Sequence, residues 1–98
     1  MLNEYKLCTK SICKKKGWVD LPIECLWLLF VEEVGELASA VRRATNQFKD
    51  RKKINVESEL MDVFSYLFQL ADVLNVNLDE EMEKYLKQYI HIDNKCLV

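Results

Sequence analysis

The sequence predicts an all-α fold, an antiparallel four-helix bundle completed by self-association, and three observations carry that expectation. Two Gly and one Pro in 98 residues leave too few turn makers for a sandwich or barrel, which needs one about every 8–12 residues. Candidate helix caps at Asp20, Asn55 and Asn77 each stand just ahead of a stretch able to form a helix. The chain is also long enough for one core only, so residues 1–98 are expected to form a single domain.

The first helix is expected over Leu2 to Lys15, stopping at Gly17. The second opens after Asp20 as its cap, with Pro22 in the first turn, where a missing N–H costs nothing, and continues through Ile23–Arg43. A polar connection, Asn46 to Lys53, leads to Asn55, which caps a third helix reaching about Leu74. Glu57 and Glu59 sit near the positive N-terminal end of that helix. Asn77, with Glu80 three residues on, reads as the capping-box-like start of a fourth helix ending near Tyr89. Short later connections favour antiparallel neighbours.

Composition removes several classes of function. Half of the residues are apolar and 31% are charged, the mix of a folded chain rather than a disordered one. Fourteen basic against 16 acidic residues, net −2, argue against an electrostatic nucleic-acid binder. The longest apolar run, Cys25 to Val31, falls far short of a membrane span and is closed off by Glu24 and Glu32. Met1-Leu-Asn-Glu-Tyr-Lys is not built as a secretory signal. Cys8, Cys13, Cys25 and Cys96 show neither CxxC nor zinc spacing and read as reduced thiols, so a cytoplasmic protein is expected. The second helix is apolar nearly all round through Val31, and the third carries Leu60, Val63, Phe64, Leu67, Phe68, Leu70 and Leu74. A chain this short has little surface on which to bury two such helices, so homo-oligomerisation is the expectation.

Two acidic pairs carry the chemistry: Glu33 with Glu36, and Glu59 with Asp62. Spacing of i,i+3 puts each pair on one helix face. Glu33 and Glu36 share an angular sector with Leu26, Leu29, Leu37 and Ala40, so two carboxylates are embedded in a core-facing stripe. Buried unpaired, each costs several kcal/mol (roughly), and so must meet a cation, a metal or water. Glu59, Asp62, Tyr66 and Gln69 form one polar stripe on the third helix, which on its own is also consistent with a solvated face. Four carboxylates aimed into one cleft suit Mg²⁺, with Mn²⁺ as a substitute. A di-iron site wants Glu-x-x-His on two helices, and the single histidine, His91, is in no such motif. Gly35, between the two carboxylates, costs about 0.5–1 kcal/mol relative to Ala inside a helix; either the site or a close helix–helix approach would account for it.

With those residues in view, Glu32-Glu-Val-Gly-Glu-Leu37, followed 22 residues after Glu36 by Glu59-Leu-Met-Asp62, resembles the all-α nucleoside triphosphate pyrophosphohydrolases. Their MazG-like branch, which includes the dCTP pyrophosphatases, is the closest in look. The resemblance runs from about Gly17-Trp18 to about Tyr89. It implies a helical bundle that forms dimers or tetramers and uses Mg²⁺ to cleave a nucleoside triphosphate, deoxy forms included, to monophosphate and pyrophosphate. It implies Glu33, Glu36, Glu59 and Asp62 as metal ligands, Glu32 as a residue that orients water, and Tyr66 as an aromatic wall of the nucleotide pocket. Trp18 matches a base-stacking aromatic once a one-residue gap is allowed. For both aromatics ordinary core packing is the competing reading. The last helix departs from the pattern: relatives offer Lys and Asn to the triphosphate, whereas Glu83-Lys-Tyr-Leu-Lys-Gln-Tyr89 has Tyr85 in place of the Asn. Lys84 or Lys87 could substitute, or both are simply solvated. The competing functional readings are a non-catalytic oligomerisation module and a relative that binds nucleotide without turning it over.

Overall fold

Four helices and no strand make up the described residues of the structure, a computed structural model describing residues 1–18, 20–45 and 55–89. They are α1 (Leu2–Lys15), α2 (Ile23–Ala44), α3 (Val56–Val73) and α4 (Leu78–Tyr89). The expected polar connection, together with His91 and Cys96, lies outside the described residues.

Local chemistry sets the helix ends. At the end of α1, Gly17 adopts φ +73°. Its N–H then reaches the Lys14 carbonyl at 3.1 Å while the Trp18 N–H reaches that of Cys13 at 2.8 Å. That pair of bonds is a Schellman motif, and the left-handed residue it needs is the reason for glycine there. Asn75 performs the same role after α3: at φ 55° its N–H bonds to Asp72 and the Val76 N–H to Ala71. Asn55 caps α3 as expected, its side chain accepting from the Ser58 N–H at 3.0 Å. The start of α2 differs from expectation. Helical geometry begins at Ile23 with Pro22 in the N-cap position, and no side chain caps it. Asp20 stands two residues too early, in the left-handed region at φ 62°, so its carboxylate does not cap the helix.

α3 is the centre of the arrangement, with α2 packed on one flank and α1 on another. Both neighbours run antiparallel to it. Along α1, Lys6 donates to the Val76 carbonyl and Lys10 pairs with Asp72; along α2, Glu33 meets Glu59 and Asp62 while Leu26 shares a hollow with Gln69 and Val73. α4 makes its main contacts with α1. There the two helix starts cap each other. The Asp79 carboxylate accepts from the Leu2 and Asn3 N–H groups at 2.7 and 3.2 Å. The Asn3 side chain returns a bond, accepting from the Leu78 N–H at 2.9 Å, and Asn77 accepts from the Glu80 N–H at 3.1 Å.

Burial is thin. Among the described residues only Cys13, Leu26, Ala40, Leu70 and Ala71 form a buried apolar core, while Trp27, Leu28, Val31, Phe64 and Leu67 remain exposed. No helix of the described residues is long and apolar enough to cross a membrane.

Candidate metal centre

The face that α2 turns toward α3 is the one predicted. Leu26 and Ala40 are buried at its two ends, and Glu33 is half-buried between them. On α3 the polar stripe is solvated only in part: Asp62 is exposed. Glu59, Tyr66 and Gln69 are half-buried, whereas Leu60, Met61, Phe64 and Leu67 are exposed. α3 therefore carries part of its polar side toward its neighbours and much of its apolar side outward.

Glu33, Glu59 and Asp62 come together so that one carboxylate oxygen from each lies within 4.8 Å of the others. Glu36 is more exposed and is not one of that group, but its charge adds to theirs. Burial pushes the Glu33 carboxyl up to about 7 from an ordinary 4.5, and the charges of Glu36, Asp62 and Glu59 push the same way. Glu59 is raised for the same reasons, burial first and then Glu36 and Asp62. These influences are burial and other carboxylates, so the salt-bridge reading of Glu33 finds no support in what surrounds it. One oxygen on Glu33 and one on Glu59 are buried without any hydrogen-bond partner. Desolvated acceptors without partners in an acidic cluster are costly unless a positive charge sits among them.

A hard divalent cation fits this donor set. All the donors are carboxylate oxygens, the preference of Mg²⁺ and Mn²⁺. Gly35 does not mark a close helix approach among the described residues, since a Cβ there would meet nothing within 4 Å.

Tyr66 stands beside the cluster. Its hydroxyl is pushed up by burial and then by Glu33, Asp62 and Glu32, which also brings Glu32, exposed on α2, to the edge of the site. Trp18 is exposed, with the Lys16 ammonium 4.6 Å from its ring centre. It is not packed in a core, because it lines two hollows of about 610 and 630 Å³ that meet at Cys13. Lys84 and Lys87 are paired within their own helix, to Glu80 and Glu81 and to Glu83, respectively; no contact joins them to the carboxylates among the described residues. Lys10 and Lys14, which line the smaller hollow together with Gln69 of the α3 polar stripe, were not singled out from the sequence. Their signal was the i,i+4 spacing of Lys6, Lys10 and Lys14.

A model of the MazG nucleotide pyrophosphohydrolase domain matches residues 22–97, more than half of the chain. The chain belongs to the MazG nucleotide pyrophosphohydrolase family. The match begins at Pro22, so α1 and Trp18 lie ahead of it. Comparison with curated proteins and with solved structures gave no match.

Proposed function

We propose that the chain is a Mg²⁺-dependent nucleoside triphosphate pyrophosphohydrolase that converts a (deoxy)nucleoside triphosphate and water to the monophosphate and pyrophosphate, serving to clear the nucleotide pool. The observation that carries this reading is the convergence of Glu33, Glu59 and Asp62 with unpartnered buried oxygens on two of them. Glu33, Glu36, Glu59 and Asp62 would hold the ion, and Mn²⁺ would substitute. Bound there, a divalent ion supplies charge neutralisation for the phosphates and lowers the pKa of a coordinated water. The chain's own contribution is positioning, which is most of what phosphoryl transfer asks of a protein. Glu32, at the edge of the cluster, orients the water and accepts its proton as the water oxygen bonds to phosphorus and the pyrophosphate leaves. Tyr66 walls the pocket beside the carboxylates, and Trp18 offers a stacking face for the base. Lys84 and Lys87 reach the phosphates only if α4 of a neighbouring subunit or a moved α4 brings them there.

A homodimer or tetramer in the cytoplasm is the working form in this proposal. The exposed Trp27, Leu28 and Val31 on α2 and Phe64 and Leu67 on α3 support it, because apolar surface of this extent is unusual on a lone domain. The free thiols Cys8, Cys13 and Cys25 suit a reducing compartment. Light scattering at micromolar concentration should give a multiple of the chain mass, and a strictly monomeric species overturns the oligomer.

The direct test is pyrophosphate release from a panel of nucleoside triphosphates with Mg²⁺. Glu33→Gln and Asp62→Asn keep the shape while removing a charged ligand, and each should cut the rate at least about 100-fold. Equal rates in variants and wild type remove these residues from the mechanism. Tight nucleotide binding with no release would support the inactive-relative reading.

A further inference from the structure

The larger hollow, about 630 Å³, is an apolar groove between α1 and α3. Tyr5 and Ile12 of α1 form one wall, and Met61, Phe64 and Phe68 of α3 the other. Tyr5, Phe68 and Phe64 follow one another as rings whose centres are 6.3 Å apart at each step. Tyr5, Ile12, Met61 and Phe64 are all exposed. Nothing among the described residues covers this apolar surface.

α4 is a helix that its own chain leaves without a seat. Its apolar residues Met82, Tyr85, Leu86 and Tyr89 stand at i, i+3, i+4 and i+7, the pattern of a helix that lays one face into a groove. Its charged side is occupied by ion pairs within the helix, Lys84 with Glu80 and Glu81 and Lys87 with Glu83. Yet every residue from Glu80 to Tyr89 is exposed. The Asp79 bonds to the Leu2 and Asn3 amides hold the start of α4 at the start of α1. From there the helix runs on without covering the groove of its own chain.

We infer that the groove receives α4 of a second copy, in a reciprocal exchange that closes about a two-fold axis. Length, polarity and charge all agree. Met82 to Tyr89 and Tyr5 to Ile12 each span seven positions, ~10 Å of helix. Asp79, Glu80 and Glu81 open α4, while Lys14 and Lys15 close α1. An antiparallel lay therefore sets the acidic start of one helix against the basic end of the other and opposes their dipoles. In that lay Met82 falls beside Ile12 of the other copy, Tyr89 beside Tyr5, and Leu86 beside Cys8. The surface is separate from Trp27, Leu28 and Val31 on α2, and the exchange does not depend on the hydrolase reading.

Cys8 lines the groove and is exposed in a single chain, so its thiol reports whether the groove is filled. Alkylation by iodoacetamide, read at Cys8 by peptide mass spectrometry, should be about 10-fold slower in wild type than in Leu86→Asp. Light scattering should show Leu86→Asp at half the wild-type mass. Leu86 is exposed within its own chain, so circular dichroism should find the helix content unchanged. Leu86→Cys supplies a second, independent test. Mild oxidation with oxidised glutathione should join positions 8 and 86 of two different chains, seen as a dimer on a non-reducing gel and located by mass spectrometry. Equal Cys8 rates in wild type and Leu86→Asp overturn the exchange, as does a link between positions 8 and 86 that fails to form or stays within one chain. Should Leu86→Asp lose helix, the cross-link alone decides.

Discussion

The α2–α3 pair and the α1–α4 pair use polar side chains in opposite ways. Where α1 and α4 start, four of the amides that the helices leave orphaned are met by a side chain from the other element or its own cap: Leu2 and Asn3 by Asp79, Leu78 by Asn3, Glu80 by Asn77. Between α2 and α3, carboxylates face carboxylates, and two buried oxygens have no partner. The first junction is satisfied and stabilises the fold. The second is frustrated, and a sequence keeps such a contact only when something absent from the protein itself completes it. The titrations carry the same contrast. Asp79 is held below the usual carboxylate range by the amino-terminal ammonium and the Leu2 and Asn3 amides, while Glu33 is pushed up by burial and its acidic neighbours.

The largest expected effect sets activity against stability at a single position. Glu33→Gln should cost the hydrolase at least about 100-fold in rate and yet raise the melting temperature of the metal-free protein at pH 8, because it removes a desolvated charge from an acidic cluster. A variant that loses both activity and stability would mean that Glu33 is held by an unrecognised favourable contact, and the contrast between the two junctions would collapse.

Metal and pH should move the two junctions apart. Glu33's folded value of about 7 lies above its ordinary 4.5, so its contribution to stability is complete below about 4.5 and is lost as pH rises through about 7. The metal-free protein should therefore lose stability over that window. Mg²⁺ or Mn²⁺ should restore it, and at 100-fold excess over the dissociation constant the gain is about 2.7 kcal/mol, several degrees for a domain of this size. Glu36→Gln should shrink the gain. Melting curves with and without metal between pH 4.5 and 8 measure both effects, and curves that are flat in pH and indifferent to millimolar metal would remove the frustrated centre.

Much of this was legible because the signals were local. Asn55 and Asn77 announced the starts of α3 and α4 through hydrogen bonds that reach only three residues, and α1 ended at its glycine. The acidic pairs could be placed because i,i+3 spacing fixes a face without knowledge of the partner helix. What was missed depends on tertiary proximity or on choices that sequence leaves degenerate. Asp20 read as the cap of α2, and only the backbone there, φ 62° at Asp20 with Pro22 in the N-cap position, shows that it is not. The α3 stripe read equally well as a solvated face, since periodicity shows which residues lie together and not which way they turn. Nothing local pairs Asn3 with Leu78, or aligns the Lys6–Lys10–Lys14 row with the hollow beside Gln69.

The smallest expected effect tests the satisfied junction. Asn77 accepts from the Glu80 N–H at 3.1 Å and from the Asn3 side chain at 2.8 Å, so Asn77→Ala removes both the cap of α4 and one strut to α1. Loss of a cap costs about 1 kcal/mol, which chemical denaturation resolves. Because this junction lies outside the metal centre, the loss should be the same with and without Mn²⁺, unlike that of Glu36→Gln. Asp79 adds a pH signature of the opposite sign to Glu33. Its folded value lies below its ordinary 3.8, so its contribution is present above about 3.8 and is lost as pH falls through the lower folded value. Asp79→Asn should therefore lower stability at neutral pH and leave little difference from wild type once the solution is acid enough to protonate the native carboxylate. An Asn77→Ala loss that grew or vanished with metal would show that the junctions are coupled through α1 and α3. The satisfied end of the molecule would then be part of the site rather than its scaffold.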